Sequence, residues 1–147
     1  MAEPRFVFDA TPDNFRTLVL ANSEKGPVAV NFWSPRAGPC LMLMPRLLKL
    51  AKEFGGRFLL VRLNTDEHGR LARDWGVTSI PMTKVFRHGR VVDTLHGAES
   101  ETSVRALLAH AGFLGAARNG LFAVFTLLGE QDPRTRHYRD ELQKLIK

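Results

Sequence analysis

The spacing of hydrophobic and polar positions changes repeatedly along the chain, and each change marks an element. Arg5 to Asp9 (RFVFD) alternates as a short strand does, and Asp13-Asn14-Phe15 then opens a helix through about Ala21, capped by Thr11 or Asp13. Pro27 to Trp33 (PVAVNFW) is an almost unbroken apolar run of strand length, which predicts a buried strand. From Cys40 to Phe54 the apolar residues at 40, 43, 44, 47, 48 and 51 line one face of a helix, and Gly55-Gly56 stops it. Pro45 inside that helix removes a backbone hydrogen bond and predicts a kink. Arg57 to Leu63 (RFLLVRL) predicts another strand, and Gly69 to Trp75 a short helix ended at Gly76. Met82 to Arg87 and Arg90 to Thr94 flank His88-Gly89 as the arms of a tight hairpin. A last helix starts at Glu99 or Ser100 and runs to His110. Alternating strands and helices followed by an antiparallel hairpin predict an α/β sandwich with a mixed central sheet over residues 1–112.

The character changes after Gly112. Leu114 to Leu128 has helical spacing and is rich in apolar residues, and Gly129-Glu130-Gln131 interrupts it. Asp132-Pro133 is a strong helix start, an N-cap acid followed by proline in the first turn. Tyr138, Leu142, Leu145 and Ile146 then share one face. Residues 113–147 therefore read as an αα-hairpin added to the main domain. Its apolar faces either pack on that domain or form a surface for self-association or a partner.

Composition narrows the function. The 147 residues suffice for one domain with a core and a small appendage. The net charge of +6 raises the question of nucleic acid, but Arg57, Arg62, Arg70, Arg73, Lys84, Arg87 and Arg90 are scattered among acids and no nucleic-acid motif accompanies them. A solvated basic surface is the expectation, with no nucleic-acid partner. One cysteine excludes a disulfide framework within these residues and a thiolate-rich zinc site. The five histidines, His68, His88, His96, His110 and His137, lack metal-ligand spacing, so no metal is expected. No phosphate-cradling GxxxxGK[ST] or GxGxxG pattern is present, and no cofactor is expected. Ser34 and Ser79 have no histidine–acid context, and adjacent Asp66 and Glu67 read as a capping and turn pair. The charged start, Met1 to Arg5, leads into no apolar leader, and Leu121 to Leu128 is far shorter than the roughly 20 residues of a membrane span. The expectation is a cytoplasmic protein with no membrane contact.

The candidate chemistry lies in VNFWSPRAGPC, Val30 to Cys40, where a strand runs into a turn and the only cysteine sits just inside the next helix. Further marks are Pro45, Leu63-Asn64-Thr65-Asp66, Trp75-Gly76-Val77, Ser79-Ile80-Pro81, Phe86-Arg87-His88-Gly89 and Gly97. In this order and spacing they resemble the thioredoxins over about Phe6 to Gly112, which implies the thioredoxin fold. In that family the active-site turn is a tryptophan followed by Cys-Gly-Pro-Cys. Here the same positions read Arg36-Ala37-Gly38-Pro39-Cys40. The resemblance implies that Ala37 stands where the nucleophilic cysteine would be, and that Cys40 is the inner, resolving thiol. The buried acid of the preceding strand is Asn31, and the basic residue after the motif is Leu41. Disulfide exchange needs an accessible thiolate to attack and a second thiol to resolve the mixed disulfide. The expectation is therefore that this chain is not a competent dithiol–disulfide oxidoreductase, and Cys40 is either core packing or a residual reactive thiol.

What the resemblance leaves intact is a surface for an extended peptide, added as a strand at Ile80 beside a cis Ile80–Pro81 bond. Trp33, Pro39, Ile80, Pro81, Met82 and Gly97 would line its groove. Within thioredoxin-like proteins the chain is similar to bacterial chaperedoxins, the thioredoxin-like negative regulators of the chaperonin, through the Leu-Gly-x-x-Asp-Pro turn and Tyr-Arg-x-x-Leu run near its C-terminus. The tetratricopeptide-like repeats of that group are mostly missing, which bears on docking to a chaperone system. The similarity implies binding of unfolded or extended polypeptide in a cell-redox context, with a client tethered through Cys40 as a further option. Two alternatives stay open: a monothiol redox protein in which Cys40 exchanges with glutathione or a client, and an assembly subunit that docks or dimerises through residues 113–147.

Overall fold

The computed structural model describes residues 6–112, so the expected C-terminal hairpin lies outside the described residues. Five strands form one sheet: β1 (Val7–Asp9), β2 (Val28–Trp33), β3 (Leu59–Asn64), β4 (Met82–Arg87) and β5 (Arg90–His96). Their order is β1-β3-β2-β4-β5. β1 and β2 run parallel to β3, whereas β4 is antiparallel to both β2 and β5, which is the mixed sheet expected. The helices are α1 (Gly38–Phe54), α2 (Gly69–Asp74) and α3 (Glu101–Gly112).

The sheet separates two apolar cores. One gathers Phe8, Phe15, Leu18, Val28, Val30, Phe32 and Phe86; the other gathers Leu43, Leu47 and Leu50 of α1 with Leu60, Val85, Val104 and Leu108. Alternation explains the division: Val28, Val30 and Phe32 face one core, while Ala29 faces the other. On the first side Trp75 meets Phe86 edge to face with ring centroids 5.1 Å apart, and Phe15 closes the triangle at 5.5 Å from Trp75.

Local signals acted much as expected, with instructive departures. Thr11, not Asp13, caps the first helical segment: the Asn14 N–H donates to Thr11 Oγ1 (3.2 Å), and the Thr11 N–H donates to Asn14 Oδ1 (2.7 Å). That segment is a wide π-type turn over Arg16–Ala21 followed by a 3₁₀ turn over Asn22–Glu24. α1 runs unbroken through Pro45 and ends at Gly55, which takes the left-handed conformation (φ 55°). His88 (φ 54°) and Gly89 (φ 76°) form the predicted hairpin turn, and β5 extends two residues beyond the expected end, to His96. Ser100 is the cap of α3, its Oγ accepting from the Ser103 N–H at 3.1 Å. Ser100→Ala should lower stability by about 1 kcal/mol, read as a fall of about 4–8 °C in Tm for a domain this size.

α3 is also tied to α1. Lys49 pairs with Glu101 (3.1 Å), Arg105 bridges Glu53 and Glu101, and Arg46 donates to the carbonyls of Ala98 and Glu99. The Arg105 guanidinium holds the Glu53 carboxyl below the usual range, and Lys49 does the same for Glu101. Among the described residues no helix is long and apolar enough to cross a membrane.

Candidate functional site

The site forms where three chain segments meet at one end of the sheet. β2 carries the chain up to Trp33, and β4, antiparallel to it, starts at the same end, with Phe32 in register with Met82. β5 returns to this end at His96 and Gly97. The Gly97 N–H donates to the Pro81 carbonyl at 2.9 Å, so two expected groove residues are joined directly. Gly97 sits at φ 78°, a conformation that costs glycine little. The Ile80–Pro81 bond is cis, as expected.

Between β2 and α1 the turn is fixed by a clamp that spans about thirty residues of chain. Asp66 Oδ2 accepts from Ser34 Oγ (2.9 Å) and from Arg36 Nε (3.1 Å), and Oδ1 accepts from Arg36 Nη2 (3.2 Å). Ser34 Oγ in turn accepts the Arg36 N–H (3.1 Å). One residue earlier, the Trp33 carbonyl accepts both the Thr65 N–H (2.8 Å) and Thr65 Oγ1–H (3.1 Å). Asp66 is thus more than a turn residue: it holds the loop between β2 and α1 to the loop after β3. The bidentate hydrogen bonds from Arg36, then that from Ser34, hold its carboxyl below the usual carboxylate range.

A depressed carboxylate stabilises the fold above its unfolded-state pKa, about 3.9, and that contribution disappears as pH falls through the lower folded value. The clamp should therefore be intact at neutral pH and open only in acid. Arg36→Gln should raise the Asp66 midpoint toward its ordinary value, as read by an NMR titration of that carboxyl. Because the Arg36 side chain is 83 % exposed, salt should weaken the pair.

α1 starts at the end of this turn. Ala37 is its N-cap, with extended backbone (φ −103°, ψ 116°) and no side-chain cap, and its carbonyl accepts the Cys40 N–H at 3.0 Å. Gly38 and Pro39 are exposed first-turn residues. Cys40 points inward and is only 1 % exposed. Asn31 lies in the sheet beneath and is equally buried; its Nδ2 donates to Thr83 Oγ1 (3.1 Å) across the β2–β4 pair. A neutral, satisfied amide therefore occupies the position where the family resemblance places an acid.

The expected groove residues do not all reach the surface. Pro39 is exposed, and Trp33, Ile80 and Gly97 are half-buried, but Pro81 is buried and Met82 is only 3 % exposed. Met82 is thus a correction: as the first residue of β4 its side chain points into the sheet's packing instead of offering a soft contact to a ligand. Leu41 (55 % exposed) and Met42 (59 % exposed) are the large hydrophobic side chains left in solvent among the described residues, and both follow directly on the buried thiol. The sequence carried a signal for them. The buried face of α1 is Cys40, Leu43, Leu47, Leu50 and Ala51, and Leu41 and Met42 are apolar residues off that face.

This architecture, a mixed five-stranded sheet flanked by helices with a cis-proline just before β4, is the thioredoxin fold. The thioredoxin family model matches residues 6–110, and the chain belongs to that family. It is 41 % identical over 91 residues to a thioredoxin of Chlorobaculum thiosulfatiphilum, an alignment covering 62 % of this chain and 82 % of the relative. It is 38 % identical over 98 residues to thioredoxin 1 of a Nostoc species, covering 67 % and 90 %. To the thioredoxin of Pyropia yezoensis it is 34 % identical over 102 residues, covering 69 % and 94 %. The family match ends at residue 110, within α3.

Proposed function

We propose that this chain is a polypeptide-binding member of the thioredoxin family that does not carry out dithiol–disulfide exchange. It holds unfolded or extended polypeptide on the face made by Pro39, Leu41, Met42 and Ile80. One observation carries the reading. At the start of α1 the single thiol is sealed in at 1 % exposure, while the next two side chains are large, apolar and open to solvent. Exchange chemistry wants the reverse arrangement, an accessible thiolate. Adjacent exposed apolar side chains instead favour contact with a hydrophobic partner. Ile80, two residues before β4, can offer its backbone to an added strand.

The similarity of the C-terminal sequence to chaperedoxins supports a holding role in a cytoplasmic, redox-linked setting. Burial of Cys40 weighs against client tethering in the native state, and equally against monothiol exchange with glutathione. The test is light scattering of a chemically unfolded model protein diluted into buffer with and without this chain. Suppression of aggregation at near-stoichiometric ratio, unchanged by Cys40→Ala, is the expected result. No suppression would remove the reading.

A further inference from the structure

Beside Ile80 lies a cavity of about 220 Å³ whose shape and charge are set by α2. Gly76 takes a left-handed conformation (φ 74°), its N–H donating to the Arg73 carbonyl (2.9 Å) while the Val77 N–H donates to the Ala72 carbonyl (3.1 Å). This closure turns the chain back on itself, so residues 77–80 pass alongside the helix they have just left. Gly69 and Ala72 have too little side chain to fill the gap, and the cavity opens between them and Val77, Thr78, Ser79 and Ile80. Its charged wall is Arg73.

That guanidinium lies over Gly69, where an added Cβ would come within 3.2 Å of Nη1. Arg36 is held by Asp66 and Arg62 by Asp9. The Arg73 guanidinium has no hydrogen-bond or ion-pair partner among the described residues, and no acidic residue lines the cavity. A planar cation of this kind, at the rim of a small cavity next to a backbone edge, matches a carboxylate in both charge and geometry.

We infer that this cavity is a specificity subsite for an aspartate or glutamate side chain of the polypeptide held at Ile80, with Arg73 as its recognition residue. The inference rests on the proposed strand addition at Ile80 and deepens it: clients are extended segments that are apolar toward Leu41 and Met42 and carry one acid toward Arg73. Side chains of an added strand alternate between faces, so a single register places the acid in the cavity.

The experiment uses short fluorescein-labelled apolar peptides carrying one Glu at successive positions, each with a Gln counterpart, titrated by fluorescence anisotropy into the full chain and into Arg73→Gln. An Arg–carboxylate pair of this exposure contributes up to about 1 kcal/mol, about fivefold in affinity. In one register the Glu peptide should bind about threefold to fivefold tighter than its Gln partner at low salt. The ratio should fall toward one in about 0.5 M salt and in Arg73→Gln, and Arg73→Lys should restore part of it. Affinity for the Gln peptides should not change in either variant. Peptides that bind with equal affinity for Glu and Gln in every register, or a preference that survives Arg73→Gln, would overturn the subsite and leave the polypeptide-binding reading standing. Failure of every peptide to bind would overturn that reading and the subsite with it.

Discussion

A cysteine introduced by Ala37→Cys should react with a disulfide reagent at neutral pH while Cys40 in the parent protein stays silent. Ala37 is the N-cap of α1, partly exposed, at the positive end of seventeen residues of helix. A thiol in that position has its pKa drawn below the ordinary value of about 8.5. Cys40 lies one turn further in, and its sulfur is reached only when the structure opens. A local opening costing about 4 kcal/mol slows a reagent roughly a thousandfold. The variant should therefore outpace the parent by at least about a hundredfold even if position 37 is incompletely accessible. Equal silence in both would mean that the turn shields position 37, and the proposed absence of exchange chemistry would not trace to this residue. Ala37 makes no side-chain cap, so the substitution should leave stability nearly unchanged.

Replacing Leu41 and Met42 together by serine should abolish most of the proposed holding activity without unfolding the protein. Both side chains already sit more than half in solvent, so the folded state loses little core. A bound client covers what remains exposed, about 1 kcal/mol of apolar burial for each side chain. Losing both lowers client affinity by roughly 30-fold, which light scattering reads as aggregation no longer suppressed at equal concentration. Matching far-UV spectra and thermal midpoints for parent and variant would place the loss in binding. Undiminished suppression would move the client face elsewhere on the protein.

The sequence pattern made the element order and the mixed sheet legible because each element has its own period and its own stop signal. Strand ends were less legible. Arg57 reads as strand because it precedes an apolar run, yet its Nε donates to the Phe54 carbonyl (3.0 Å), and β3 begins only at Leu59. The π-type turn at Arg16–Ala21 could not be read from spacing, since consecutive Leu18 and Val19 are both buried. The Asp66 clamp was also hidden. Its partners Ser34 and Arg36 lie 32 and 30 positions away, and no local pattern links a turn after one strand to a turn after another. The hydrogen bond from the Gly97 N–H to the Pro81 carbonyl joins two of the expected groove residues, whereas side-chain direction decided Met82, Leu41 and Met42. Direction follows from register and helical phase, which only the assembled sheet fixes.

Whether Cys40 is sealed or reactive is decided by its reaction rate with a disulfide reagent from about pH 6 to pH 10, spanning the ordinary thiol pKa, in the native and in the unfolded chain. A sealed Cys40 reacts at least about a thousandfold more slowly in the native chain than in the unfolded one throughout, exposed only as the fold opens. A native thiol that reacts as fast as the unfolded one, or faster near neutral pH, would show an accessible, activated thiolate. That result would contradict function by binding alone.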